Sequence, residues 1–333
     1  MEATVSQSVS ITPTLDALVN TFGNDCRLRF GKRVRKLTLD AHFTCPNRDG
    51  SLGVGGCTFC HVPSFNADDG QQFDIASQLK RQMAGRSDAL YFIYFQAYTS
   101  TYDEVAVLKR RYDEALSIGN VAGLFVGTRP DCVPDAVLQL LADYQQQGID
   151  VWLDLGLQTA RDDTLKRINR GHDFAVYADA VTRARRLGIK VCTHLILGLP
   201  GERPEDFVAS HRQVLALGVD GLKLHPLHIV EGSIMARQWR AGRLDTLSLD
   251  DYVNAAVQLI QRTPADIIFH RVTAHARPPL LLAPEWCGHK WLAMGAICSS
   301  LAQTGGQGSL TEYPYLTDKK SKVSEPYPTA IGG

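Results

Sequence analysis

Three of the eight cysteines stand together, Cys45, Cys57 and Cys60, on the stretch CPNRDGSLGVGGCTFC. Two residues separate Cys57 from Cys60, and eleven separate Cys45 from Cys57. Thiolates at the shorter spacing can hold one metal centre, because a turn brings both sulfurs to the same side. The glycines between them let the backbone wrap closely around an ion. Tetrahedral zinc asks for four ligands, usually as two pairs. The chain has no second CxxC, so His42 or His61 would have to complete a zinc set. Three thiolates alone suit a 4Fe–4S cluster in which one iron is left open for a ligand that is not protein, and an open iron implies chemistry. A chance grouping that holds no metal is the remaining reading. The other cysteines, Cys26, Cys132, Cys192, Cys287 and Cys298, are scattered and read as small buried hydrophobes. Cys192, inside the apolar run VCTHLILGL, is the clearest of them.

The elements that position this loop follow from the rest of the chain. Its 333 residues carry 35 Lys+Arg against 35 Asp+Glu, with 44% hydrophobic and 21% charged residues. That is too apolar and too balanced for a disordered chain, and too long for a disulfide-stapled mini-protein. No stretch of about 18 apolar residues suggests a spanning helix. The first residues lack the basic and apolar regions of a secretory signal, so a reducing, cytoplasmic setting without disulfides is expected. Zero net charge argues against a protein that grips nucleic acid by bulk electrostatics, though local basic patches remain open.

Strand-like and helix-like segments alternate. Val34–Asp40 reads as a first strand, with the cysteine loop directly after it. Apolar strands are expected at Leu90–Phe95, Gly123–Gly127, Asp150–Leu157, Lys190–Leu197 and Gly221–Leu227. Helices are expected at Gln71–Ala84, Asp103–Ile118, Pro134–Gln147, Pro204–Leu217 and, with a break at INRGHD, across Asp162–Leu187. Such βα repeats with continuous apolar strands predict a parallel sheet under helices. Polar residues close several strands: Gln96-Ala97-Tyr98, Thr128-Arg129 and Gln158-Thr159. Polar groups gathered from many strand ends suit a curved, barrel-like sheet better than a flat one, in which a single crevice is used. Beyond about residue 228 the rhythm changes. A helix at Leu249–Arg262, a strand at Ile267–Ala274 and a helical segment at Pro284–Leu301 read as an α/β extension. Residues 1–14 read as a flexible lead-in and 305–333 as a disordered tail.

The cysteine string, together with FQAYTSTY, LDLGLQTARDDTLKRINRGHD, CTHLILGLPGE, DGLKLHPLHIV and RVTAHARPPLLLAPEWC, resembles the YhcC-like radical S-adenosylmethionine (SAM) family. That family is a relative of the radical domain of the Elongator catalytic subunit. The resemblance runs from about residue 20 to 300, and the eleven-residue gap between the first two cysteines is a hallmark of the subgroup. It implies a partial (β/α)6 TIM-like barrel over 15–232 with an extension over 233–304. It also implies that Cys45, Cys57 and Cys60 hold three irons while SAM chelates the fourth. An electron from the cluster would cleave SAM to methionine and a 5′-deoxyadenosyl radical that abstracts hydrogen from substrate. On the matching positions, Phe59 would pack the adenine. Gln96 and Tyr98 stand where a Gly-Gly-Glu usually holds the methionine amine. Thr128 and Arg129 suit the SAM carboxylate or a substrate phosphate, since a guanidinium fork binds anions bidentately. Gln158 suits a ribose hydroxyl, and His194 faces the adenine or is a core histidine. Lys223, His225 and His228 are candidates for substrate contact, with Lys223 and His225 on one face of their strand. Arg271 and Arg277 would close the mouth.

An electron donor such as flavodoxin or ferredoxin is the implied partner. For the substrate, two basic stretches matter: Arg27, Arg29, Lys32, Arg33, Arg35 and Lys36, then Lys166, Arg167, Arg170, Arg183, Arg185, Arg186 and Lys190. They would present a basic face to RNA. The related enzymes point to a modified wobble uridine in tRNA. The chain is shorter than one carrying the acetyltransferase domain of the Elongator subunit, so an acetyl-CoA reaction is not expected. A zinc-stabilised, non-catalytic nucleic-acid-binding module is the competing class.

Overall fold

The computed structural model describes residues 13–61, 74–85 and 89–311. Most of the expected lead-in and the tail from 312 lie outside these residues. Seven strands form one wholly parallel sheet: β1 Val34–Leu39, β2 Leu90–Phe95, β3 Val121–Thr128, β4 Asp150–Gln158, β5 Lys190–Leu197, β6 Gly221–Pro226 and β8 Ile268–Arg271. Their spatial order follows the chain, β1-β2-β3-β4-β5-β6-β8. The connecting helices are α3 Ile75–Met83, α4 Val105–Leu116, α5 Asp135–Gln146, α6 Asp162–Arg167, α7 Phe174–Arg186 and α8 Pro204–Ala216. The helix expected at Gln71–Ala84 is therefore seen over Ile75–Met83, its first three positions lying outside the described residues.

The sheet curls. β2 and β6 are four places apart in the order, which in a flat sheet would put them roughly 19 Å apart. Yet Lys223 Nζ on β6 donates to Tyr94 OH on β2 at 2.9 Å. The result is a half-barrel, as the strand-end pattern predicts. The inner strands β2 to β6 are largely buried on both faces, which is why their runs read as continuously apolar, whereas the edge strands β1 and β8 keep exposed positions at Thr38 and Arg271. On β2, Tyr91, Ile93 and Phe95 pack outward against the helices, while Phe92 and Tyr94 turn into the lumen. At Gly123 the lumen has no room for a side chain, since a Cβ would stand 2.0 Å from the Phe92 ring.

A helix that the sequence pattern does not disclose plugs the barrel floor. After the single turn α1 (Leu15–Leu18), α2 (Phe22–Phe30) places Phe22 edge-on against Phe92, Phe125 and Trp152 at 5.3, 5.2 and 6.3 Å. Cys26 joins this cluster, as does Cys192. Lys36 is part of the floor as well, its ammonium 4.1 Å from the ring centroids of both Phe22 and Phe125. Burial and the neighbouring Lys223 pull its pKa down to about 7.

β8, expected as part of the extension, is hydrogen-bonded to β6 and is the seventh strand of the main sheet. The extension adds a two-stranded antiparallel pair of β7 Ile229–Val230 with β9 Leu281–Ala283, and helices α9 Ile234–Arg240, α10 Leu249–Arg262 and α11 Leu292–Thr304. The chain does not lose order at 305. Gln307 donates to the carbonyls of Pro264 and Ile267 at 2.6 and 2.8 Å and accepts from Asn20 N at 2.8 Å. No helix among the described residues is long and apolar enough to cross a membrane.

α8 docks on α10 through His211, 1% exposed, whose Nε2 lies 2.8 Å from Thr263 Oγ1. Burial, with Arg262 nearby, lowers its pKa to about 3. The unfolded imidazole titrates near 6.5, so the unfolded chain binds more protons between pH 6.5 and 3. Stability is therefore full above pH 6.5 and falls with pH, by about 1.4 kcal/mol per unit from this group. Urea unfolding at pH 7 and pH 5 checks this: His211→Gln should flatten the difference, and an unchanged pH slope would contradict it.

Candidate active site at the strand ends

Because the strands are parallel, all their carboxyl ends meet at one rim. There they line a cavity of about 400 Å³. Cys45, Cys57 and Cys60, on the loop after β1, lie on its wall. So do Phe59, Gln96, Tyr98, Thr128, Arg129, Gln158, His194, Lys223, His225, His228 and Arg271. Arg277 is exposed and takes no part in the wall. Lys223 and His225 do share the lumen face of β6, as alternation requires.

The cysteine loop is built by its own turns. Arg48 N donates to Cys45 O at 2.8 Å, Gly56 N to Asn47 O at 2.7 Å, and Cys60 N to Cys57 O at 3.0 Å. It is clasped by the break between α6 and α7: Thr58 N donates to Ile168 O at 3.0 Å and Asn169 Nδ2 to Gly56 O at 2.9 Å. Arg170 then reaches into the site, with Nη1 3.3 Å from Cys57 Sγ and Nε donating to Gly156 O at 3.1 Å. Asn47 Nδ2 lies 3.7 Å from the same sulfur. At Gly156 a Cβ would come within 2.8 Å of Arg170 Nη2, so a side chain there would push the guanidinium from its place. Tyr98, three residues past β2, and Gln158, the last residue of β4, take left-handed φ values of 60° and 82°. Such conformations cost roughly 1–3 kcal/mol and recur at functional sites.

The donor set fits an iron–sulfur cluster better than zinc. Zinc–sulfur bonds of about 2.3 Å place tetrahedral ligands roughly 3.8 Å apart. Among the described residues, the one group of three ligand atoms all within 4.8 Å is Asp154, Cys192 and His270, so the loop thiols are spread more widely. Neither His42 nor His61 lies on the cavity wall to complete a zinc set. The compact group is itself no cation site, since the Lys223 ammonium already sits on the Asp154 carboxylate. Burial and the adjacent Cys57 push the Cys60 thiol up, so loading a metal must displace a proton there. Four of the scattered cysteines, Cys26, Cys132, Cys192 and Cys287, are buried, and burial holds the Cys287 thiol at about 12, whereas Cys298 is only half-buried and donates to Pro13 O at 2.9 Å.

Under the rim lies a charged layer that residue spacing alone does not disclose. Asp154 on β4 is fully buried, ion-paired with Lys223 and 3.5 Å from His194 Nε2. Burial would raise its carboxyl, but Lys223 and His194 together hold it well below the usual range. Burial and Lys223 lower His194 to about 4, so its imidazole is neutral at pH 7. Arg129 is clamped by Asp131, at 3.0 Å from Nε and 2.8 Å from Nη2. Its buried Nη1 has no partner and is free to donate.

Residues 45–214, just over half of the chain, match the family described as the Radical SAM superfamily, and 219–303 match its C-terminal domain. The chain belongs to the radical SAM superfamily. It is 54% identical over 305 residues to Protein YhcC of Escherichia coli, covering 91% of this chain and 98% of that one. It is also 36% identical over 151 residues to a tRNA uridine(34) acetyltransferase of Dehalococcoides mccartyi, over 43% of this chain and 32% of the other. Among solved structures, the Elp3 of the archaeon Methanocaldococcus infernus superposes with a TM-score of 0.60. The match has 16% identity and covers 82% of this chain and 64% of that one. As a radical SAM enzyme, the protein has its strand-end cavity where such barrels carry chemistry.

Sequence reading passes over Asn47, Asp154 and Tyr94 as site residues, and marks Arg170 only as part of the functional loop Asn169-Arg170-Gly171-His172, with no role toward a cysteine. The signals are present in retrospect: the INRGHD break for Arg170, and an acid and a lysine inside the apolar runs DVWLDLGLQ and GLKLHPL for the ion pair. Arg170→Gln tests the first. Removing a hydrogen bond that orients a metal ligand typically costs 10–100-fold in metal affinity. Iron retained after challenge with a chelator should fall accordingly, and unchanged retention would show that the Cys57 contact is incidental.

Proposed function

We propose that Cys45, Cys57 and Cys60 hold a 4Fe–4S cluster, that SAM binds beside it in the strand-end cavity, and that the enzyme abstracts hydrogen from a substrate carried at the same rim. The observation that carries this reading is three unpaired cysteines on one loop, opening on a cavity walled by polar groups from β2 to β8. When bound, the cluster supplies the electron that splits a carbon–sulfur bond of SAM.

The chain's own residues supply the rest. Arg170 and Asn47 donate toward the Cys57 sulfur and stabilise its thiolate form. Arg129, fixed in direction by Asp131, offers its open Nη1 to the carboxylate of SAM, with Thr128 beside it. Gln96 and Tyr98 suit the amine, Gln158 a ribose hydroxyl, and Phe59 and neutral His194 the adenine. An electron donor such as flavodoxin or ferredoxin would approach the outer face of the cysteine loop, where Leu52 and Val54 are 50% and 82% exposed. Anaerobic purification with iron and sulfide analysis tests the cofactor. About one zinc per chain and no iron would refute the proposal.

For the substrate we propose a modified wobble uridine in tRNA, supported by the partial likeness to a tRNA uridine(34) acetyltransferase. The basic stretches do not carry this reading. Arg27 is paired with Asp16, Arg29 with Asp25 and Asp150, Lys190 with Asp150, and Arg183 with Asp135 and Asp179. Lys36 faces inward, and the 27–35 stretch precedes or opens β1, at the barrel end away from the rim. RNA would instead meet the rim's own cations. The nucleoside profile of tRNA from a deletion strain decides: loss of one wobble-uridine derivative is expected, and an unchanged profile removes tRNA as the substrate.

A further inference from the structure

The cavity wall is unevenly charged. Its cations are Arg48, Arg129, Arg170, Lys223 and Arg271, and its one acidic residue is Asp154. Asp154 is spent on Lys223, and Arg129 has Asp131. Arg271, on the last strand, has no carboxylate partner among the described residues. Its Nη1 instead donates to His225 Nε2 at 2.5 Å. A neutral imidazole is a weak substitute for a carboxylate or phosphate, the acceptors that a guanidinium fork matches. Beside it the His228 ring lies 5.6 Å from the His225 ring, and the buried His228 Nε2 meets no hydrogen-bond partner. A buried polar atom left open at a cavity wall calls for a ligand. These groups come from β6, the turn after it and β8, not from the cysteine loop or the strand ends proposed for SAM.

We infer that Arg271, His225 and His228 form a subsite for an oxyanion of the substrate, a phosphate or carboxylate group, held apart from SAM. The inference rests on the radical SAM reading only for the word substrate; the anion site stands on its own geometry. Burial and Arg271 lower His228 to about 4 and, with His228 also adjacent, hold His225 well below its usual value. Both rings are thus neutral before the anion arrives, with Lys223, His194 and His275 the other titratable groups facing them. An arriving anion offsets Arg271 and lets the rings donate.

The test is calorimetric titration of inorganic phosphate, and separately of succinate, into the anaerobically reconstituted protein, first without and then with saturating SAM. One site is expected, and the better ligand of the two names the oxyanion. Arg271→Ala should weaken it roughly tenfold or more, as losing a charge-assisted hydrogen bond does. Arg271 is exposed, so this variant should keep its thermal midpoint. His228→Gln is the second variant, expected to weaken binding without moving the midpoint, and Arg110→Ala on the outer face of α4 is the unaffected control. Competition by unmodified tRNA then separates sources: displacement assigns the phosphate to RNA, and no displacement assigns it to a small metabolite. Equal affinity in wild type and both variants, or loss of the site when SAM is added, overturns the inference. Iron content and SAM cleavage measured on the same samples keep the two failures apart. Phosphate bound through Arg271 by a chain that cannot load iron would sink the radical reading alone.

Discussion

Alanine at Cys45, Cys57 or Cys60 is expected to abolish iron loading and SAM cleavage while leaving a folded chain. In the proposed ligand set each thiol would hold one corner of a cluster with no spare protein ligand, so two remaining thiolates could not retain it. The loop itself is tied by backbone bonds and by the clasp from Ile168 and Asn169, none of which uses a sulfur. Thermal midpoints of the apoproteins should therefore match, while iron per chain drops to background. Cys26→Ala and Cys287→Ala are the contrast. Their thiols are buried in packing away from the loop, so these variants should lose stability and keep iron. Full iron in any of the three loop variants would break the proposed ligand set.

Asp154→Asn is expected to have the largest effect on stability. It leaves the Lys223 ammonium, 4% exposed, without its anion in the middle of the barrel. Breaking a buried pair from one side costs about 3–5 kcal/mol, which corresponds to a fall of roughly 10 °C in a domain of this size. Tyr94, which accepts from Lys223, cannot take over the charge. Joint replacement, Asp154→Leu with Lys223→Met, removes both charges and should recover most of that loss, since apolar isosteres often match a buried pair. The doubly substituted protein should fold and still fail to turn over, because the floor of the strand-end cavity, where SAM and substrate are proposed to bind, has lost its polar layer. If the single substitution melts with the parent, the pair is not the structural unit described here.

The sequence discloses the sheet well because βα periodicity and apolar runs are local signals. Strands β2 and β5 match their expected limits, and the others differ by a few residues. What stays hidden depends on contacts between distant segments. α2 carries a weak apolar pattern, and its role appears only when Phe22 meets Phe92, Phe125 and Trp152 from three strands. β8 looks like part of an appendage until it pairs with β6. The site divides the same way. The cysteines and the strand-end residues are legible from spacing, and they do meet at one cavity. Arg277, chosen from the same segment as Arg271, points elsewhere because alternation does not extend past the end of β8. The basic stretches mislead for a plain reason: counting charges in a row ignores the aspartates that the fold brings from other elements, such as Asp150 between Arg29 and Lys190.

The most direct measurement is anaerobic incubation of the iron-loaded protein with SAM and dithionite, followed by chromatography for 5′-deoxyadenosine and methionine. The account predicts both in equal amounts, dependent on all three loop cysteines and strongly reduced in Arg129→Ala. Iron-loaded protein that yields neither product under reduction, with SAM recovered intact, would contradict it.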